Sequence, residues 1–176
     1  MPALDPSAWV VHKFGGSSVA DAECFKRVAN ILENLPAGRL GVVLSACRGV
    51  TDALLGLVAR AEAQDDAWRE LDALRARHNT IAEAVLAPEA RQLYMAGFDR
   101  DRHDIEGILH TVKLTRSAAQ NVRDLIAGYG EIWSTRLFSA YLRARGRRPG
   151  KVEWIDARDI VSVEWGPLGP AVRWDV

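Results

Sequence analysis

Lys13, Gly15, Gly16 and Ser17 stand at the end of the apolar run Val10 to Phe14, and their order suits a phosphate site. Paired glycines carry no Cβ, so backbone N–H groups can come close to an anion and the chain can enter positive φ. A serine heading a helix caps one orphan donor, while the remaining N–H groups and the helix dipole attract negative charge. A lysine just upstream supplies a point charge able to follow a moving phosphoryl group. The same residues also suit an ordinary strand–turn–helix with a surface lysine, because such glycine turns recur in α/β folds. Two motifs are excluded: no Gly-x-x-x-x-Gly-Lys-Ser/Thr occurs, and the third glycine of the dinucleotide fingerprint is missing around Val19.

The 176 residues can enclose one real hydrophobic core. Apolar and charged fractions of 48% and 26% are those of a globular protein. With 23 basic and 23 acidic residues the formal net charge is zero, which argues against nucleic acid or an anionic membrane as the main partner. No apolar run approaches the roughly 18 residues of a membrane span, and Met1 to Ser7 lack the features of a signal peptide. Cys24 and Cys47 make neither a disulfide framework nor a metal quartet. Together these point to a reduced, cytoplasmic protein.

Elements that could position the glycine turn follow from the hydrophobic spacing. Val10 to Phe14 reads as a buried, central strand, and Val19 to Leu35 as a helix ended by Pro36, Ala37 and Gly38. Leu40 to Leu44 reads as a second buried strand, with residues 45–51 as the loop at its carboxyl end. Thr51 and Asp52 can cap a helix running to Ala63. Residues 67–111 form a charged helical stretch, interrupted near Ala87-Pro88 and Gly97, whose apolar pattern suggests a packed hairpin with solvated charges. Ser117 to Ala127 and Glu131 to Arg145 read as two helices separated by Gly128-Tyr129-Gly130. The strand Val152 to Ile155, a small element at 156–163, a Trp165-Gly166-Pro167 turn and a short strand at Val172 complete the chain. The order β-α-β, inserted helical block, α-β predicts an α/β fold with a mainly parallel sheet and helices on both faces. Ligands in such sheets sit outside the carboxyl ends of the strands, where both loops of interest lie.

Several stretches, in order, resemble the aspartokinases of the amino acid kinase superfamily. Lys13-Phe14-Gly15-Gly16-Ser17-Ser18-Val19-Ala20 is similar to the family's opening signature, which has Thr where this chain has Ser17. Val42-Val43-Leu44-Ser45-Ala46 with Gly49-Val50-Thr51 resembles the second family loop. Gly130-Glu131 with Ser134 resembles a Gly-Glu-x-x-Ser at a helix start, and Asp156-Ala157-Arg158-Asp159 a fourth motif. The resemblance spans nearly the whole chain. It implies the N-terminal half of a three-layer α/β sandwich, the amino acid kinase (carbamate kinase-like) fold, with an inserted helical block. Residues 1–8 would be a tail and 9–176 the aspartate-binding part of the kinase domain.

The implied reaction is transfer of the γ-phosphoryl group of ATP, carried with Mg2+, to the side-chain carboxylate of L-aspartate, giving β-aspartyl phosphate. This opens lysine, threonine and methionine biosynthesis. In that frame Lys13 would neutralise charge on the transferring group, and Gly15, Gly16 and Ser17 would cradle ATP phosphates. Ser45 and Thr51 would line the aspartate site, with Glu131 pairing the substrate ammonium. Such transfer relies on positioning and electrostatics, so these residue types are suitable parts. By themselves Glu131 reads as a charge at a helix N-terminus and Thr51 as a cap. Cys47 reads as a buried filler, Arg48 as a surface charge or a phosphate contact, and His12 as a core histidine. His78, His103 and His110 fall on charged helical faces without metal-ligand grouping, and Trp154, Trp165 and Trp174 read as packing residues.

The family domain continues with a second half bearing an Arg-Gly-Gly-Ser-Asp-like motif, and nothing similar occurs here. The chain is therefore expected to be an incomplete catalytic domain, inactive alone. A fusion to another activity of the same pathway is compatible with this. Edges and apolar surfaces left by the missing half predict a homo-oligomer. Two other readings stay open: a kinase acting on another small carboxylate or nucleotide, and a non-catalytic binding or assembly module derived from a kinase.

Overall fold

The computed structural model describes residues 8–36, 38–147, 152–166 and 169–174. Strands β1 (Trp9–Phe14) and β2 (Arg39–Leu44) pair in parallel, from Trp9 opposite Arg39 to Phe14 opposite Leu44. Helix α1 (Ala22–Glu33) connects them and presents Phe25, Val28, Ala29 and Leu32 to the core at helical spacing. Four helices follow: α2 (Val50–Glu62), α3 (Trp68–Val85), α4 (Pro88–Thr115) and α5 (Gln120–Arg145). The chain closes on an antiparallel hairpin, β3 (Val163–Gly166) and β4 (Gly169–Val172).

Neither strand of the parallel pair is fully buried, contrary to the expectation of two buried strands. Val10, His12 and Phe14 are half-buried, whereas Trp9 and Val11 are 64% and 66% exposed. Val43 on β2 is also exposed. A run that hardly alternates predicts cover on two faces, but among the described residues only one face is covered. The expected strand Val152 to Ile155 has no ladder partner there. Its residues instead lie against α5, where Arg143 Nε donates to the Val152 carbonyl and Trp154 Nε1 to Thr135 Oγ1. The expected Trp165-Gly166-Pro167 turn falls partly outside the described residues.

Glycine proved a weak breaker where packing was strong. Helix α4 runs through Gly97, and α5 runs unbroken through Gly128 and Gly130. An interior glycine costs about 1 kcal/mol against alanine, which burial of Ile126, Tyr129, Ile132 and Trp133 on α5 more than offsets. The break at Pro88 does occur: Leu86 turns extended and the proline opens α4. The expected α3–α4 hairpin is present, Leu71, Leu74, Ile81 and Ala82 facing a core that includes Tyr94, Met95, Phe98 and Ile105.

His78 is not on a charged face. It is fully buried, with ring centroids 5.2 Å from Phe98 and 5.3 Å from Trp133, while Phe98 and Trp133 stack at 4.1 Å. Its Nδ1 lies 2.8 Å from the Leu74 carbonyl and its Nε2 has no partner. Burial pushes the imidazole down to about 4, against the opposing pull of the Leu74 carbonyl. The unfolded chain therefore takes up this proton near its ordinary value of about 6.5 and the folded chain only near 4, so acidification favours unfolding across that window. Stability is expected to fall by up to about 3 kcal/mol between pH 6.5 and 4 from this group alone. Thermal unfolding across that range should show the slope in the native chain and a flatter profile in His78→Leu. Equal slopes in the two proteins would refute the assignment.

Candidate functional site

The glycine turn after β1 does not lead straight into a serine-capped helix. Gly16–Val19 form one 3-10 turn, closed by the Ser18 N–H on the Gly15 carbonyl at 2.8 Å. Helix α1 starts later, with Asp21 Oδ1 accepting from the Cys24 N–H at 2.8 Å. A short carboxylate cap thus does what was expected of serine. Backbone approach at this turn is close: a Cβ on Gly16 would lie 2.7 Å from the Ala46 carbonyl oxygen. Lys13 Nζ reaches over the turn, 3.7 Å from where a Gly15 Cβ would be. Lys13 and Ser17 are both exposed, so a charge and a hydroxyl face solvent at the turn.

The loop after β2 meets this turn directly. The Ser45 N–H donates to the Phe14 carbonyl at 3.0 Å, continuing the parallel ladder one step. The Arg48 N–H donates to the Gly16 carbonyl at 3.1 Å and joins the two loops. Gly49 is the residue at the N-cap of α2, and its φ of 77° is open to glycine at little cost. Thr51 and Asp52 therefore lie in the first turn of α2 and do not cap it; Thr51 is half-buried. Cys47 is buried, and burial pushes its thiol up to about 11, away from the reactive thiolate. Arg48 is exposed.

Glu131 enters from the middle of α5, not from a helix start. Its Oε1 accepts the Ala46 N–H at 3.2 Å, and Ser134 Oγ donates to the Ser45 carbonyl at 2.8 Å. This turn of α5 can lie so close only because position 130 lacks a side chain. A Cβ there would fall 2.8 Å from the Ala46 Cβ and 3.2 Å from Val50 Cγ1. The structure thus brings Lys13, Gly15, Gly16, Ser45 and Glu131 to one end of the parallel pair, through the bonds of Ala46 and Arg48.

Farther along α5, Thr135 holds Trp154, and the Arg136 guanidinium lies 4.9 Å from the Trp154 ring centroid. Arg136 Nη1 also donates to Asp101 at 2.6 Å, as does Trp133 Nε1 at 3.1 Å. Burial pushes the Asp101 carboxyl up, and these two donors oppose it. Asp156 opens a 3-10 turn, Ala157–Asp159, and its ion pair with Arg158 at 2.6 Å holds its carboxyl below the usual range. Sequence reasoning passed over Arg77 and Asp101. Arg77 donates from α3 to the carbonyls of Arg48 and Ala20. The position of Asp101 on the apolar stripe of α4 was a readable signal; nothing local marked Arg77.

Comparison with known proteins gives consistent results. The amino acid kinase family model matches residues 8–173. The chloroplastic bifunctional aspartokinase/homoserine dehydrogenase 1 of Arabidopsis thaliana is 31% identical over 157 residues, covering 89% of this chain and 17% of that protein. The lysine-sensitive aspartokinase 3 of Escherichia coli (strain K12) is 32% identical over 157 residues, covering 86% of this chain and 32% of that protein. Among solved structures, E. coli aspartokinase III in complex with aspartate and ADP (R-state) superposes with a TM-score of 0.73 at 29% identity. It covers 88% of this chain and 32% of that one. The chain therefore spans a third or less of the length of these relatives.

The close approach at position 130 has a measurable consequence. Gly130→Ala should destabilise the fold by about 1–3 kcal/mol, the usual cost of overpacking, and should speed amide exchange at Ala46. Chemical denaturation and hydrogen exchange would show both effects. A variant as stable as the native chain would mean that the loop does not sit against α5.

Proposed function

Since this chain belongs to the amino acid kinase family, we propose that it forms the aspartate-binding part of an aspartokinase, transferring the ATP γ-phosphoryl group to the side-chain carboxylate of L-aspartate. The observation that carries the reading is the meeting of the two strand-end loops with Glu131. The Arg48 N–H reaches Gly16, and the Ala46 N–H reaches Glu131. This places a lysine-covered glycine turn, suited to phosphates, next to a carboxylate suited to an ammonium. Lys13 would follow the charge that spreads over the phosphoryl oxygens in the transition state. Gly15, Gly16 and Ser17 would hold the phosphates of ATP, and Ser45 and Thr51 the aspartate. Glu131 would accept from the substrate α-ammonium while keeping the Ala46 N–H on Oε1.

Mg2+ keeps several waters and takes only one or two carboxylates beside phosphate oxygens. Among the described residues no group of three or more His, Cys, Asp or Glu could hold a metal ion. Mg2+ would sit mainly on the nucleotide's phosphates, where it would neutralise charge on the transferring group. The product, an acyl phosphate, suits the opening step of lysine, threonine and methionine biosynthesis. No helix among the described residues is long and apolar enough to cross a membrane, and two free thiols suit a reducing compartment such as the cytoplasm. Exposed Trp9, Val11 and Val43 on one sheet face favour a homo-oligomer.

The test uses the full-length polypeptide that carries this chain, with ATP- and L-aspartate-dependent formation of acyl phosphate as the readout. Lys13→Ala should lower kcat by about a hundredfold or more, as loss of a transition-state charge does. Glu131→Gln keeps an acceptor for Ala46 but loses the charge, so the KM for aspartate should rise about tenfold with little change for ATP. The 176 residues expressed alone should show no turnover. Turnover with another acceptor in place of aspartate would move the reading elsewhere in the family, and none with any acceptor would favour a non-catalytic module.

A further inference from the structure

We propose that Arg77 is a positioning residue that locks the loop after β1 to the loop after β2, and so sets the distance between phosphoryl donor and acceptor. The inference rests on the phosphoryl-transfer reading above. One guanidinium makes both contacts: Nη1 donates to the Arg48 carbonyl at 2.8 Å and Nη2 to the Ala20 carbonyl at 3.0 Å. These carbonyls close the two loops. Ala20 precedes Asp21, the cap of α1, and Arg48 precedes Gly49, the N-cap of α2. The two nitrogens belong to one rigid plane, so the fork fixes the separation of the carbonyls as well as holding each. A lysine ammonium, a single atom on a flexible stem, cannot do this.

The fork is anchored independently of the loops it joins. Arg77 sits on α3, and the next residue, His78, is buried between Phe98 and Trp133. The reference point is therefore the helical core. The loop after β1 carries Gly15, Gly16 and Ser17, next to Lys13 at the end of the strand, and the loop after β2 carries Ser45 and leads to Thr51. Each loop could still bind its own ligand without Arg77. What would change is the alignment between them, and a misplacement of about 1 Å in the reacting atoms can cost on the order of a hundredfold in rate.

The test compares the full-length polypeptide with Arg77→Ala and Arg77→Lys. Both variants should lose kcat, about 10- to 100-fold for alanine, while each KM stays within about threefold. Lysine restores the charge but not the fork, and should recover only part of the loss. Hydrogen exchange on the same proteins should show faster exchange at Ser18, Arg48 and Val50, with the aromatic core on α3, α4 and α5 unchanged. A role in folding alone would lower the melting temperature and leave kcat intact. If the alanine variant fails to fold, the lysine variant decides. A kcat within about threefold of the native value in the folded variants, or unchanged exchange at the three amides, overturns the proposal. A native protein that does not phosphorylate aspartate sinks the functional reading instead, and the exchange data then decide the lock by themselves.

Discussion

The segment 45–48 depends on partners that it does not contain. Its backbone groups are bonded to Phe14 and Gly16 on one side and to Glu131, Ser134 and Arg77 on the other. Backbone N–H and C=O groups taken from water need such partners, and leaving one unmet costs about 1–3 kcal/mol. A loop inside regular structure would meet them through a ladder. This one leaves the end of a two-stranded sheet, so helices supply the donors and acceptors. The consequence is chemical as well as structural, because the groups that satisfy the loop also bring Glu131 and the glycine turn to it.

That arrangement asks for a rigid helical frame, and the core provides one. Trp133 stacks on Phe98, touches His78 at its edge and donates to Asp101, so one side chain on α5 ties α3 and α4 together. Arg136 uses the same carboxylate and stacks on Trp154, which extends the frame to the segment after α5. Glu131 is half a turn from Trp133 on the same helix, so its carboxylate inherits the order of the core. At the far end of α5, Arg145 pairs with Glu33 on α1 and fixes the helix to the βαβ unit.

Much of this was legible along the chain, with errors that have physical causes. The turn residues, the first helix and the helical hairpin could be read because each depends on neighbours within about four positions. The supposed break at Gly128 to Gly130 was misread: a single glycine is a weak signal when the surrounding turns are buried. His78 was placed on a charged face because its neighbours are arginines and Asn79, although its own spacing follows Leu71 and Leu74. The serine cap was displaced by Asp21 four residues on, a choice made by where α1 must enter to bury Phe25. The apolar strand looked doubly covered, yet pattern alone cannot say what covers the Trp9 side.

The opening β-α-β unit, the glycine turn with its lysine, and the identity of the family were determined by the sequence, because they rest on local spacing and on short motifs. The tertiary structure alone decided that Glu131 reaches the loop after β2 from mid-helix, that Gly130 is needed for contact rather than for a bend, and that Arg77 spans two loops. Those contacts join residues 29 to 85 positions apart. No local pattern encodes such pairs, since they exist only after the helices have packed and fixed which backbone groups lie within hydrogen-bond reach.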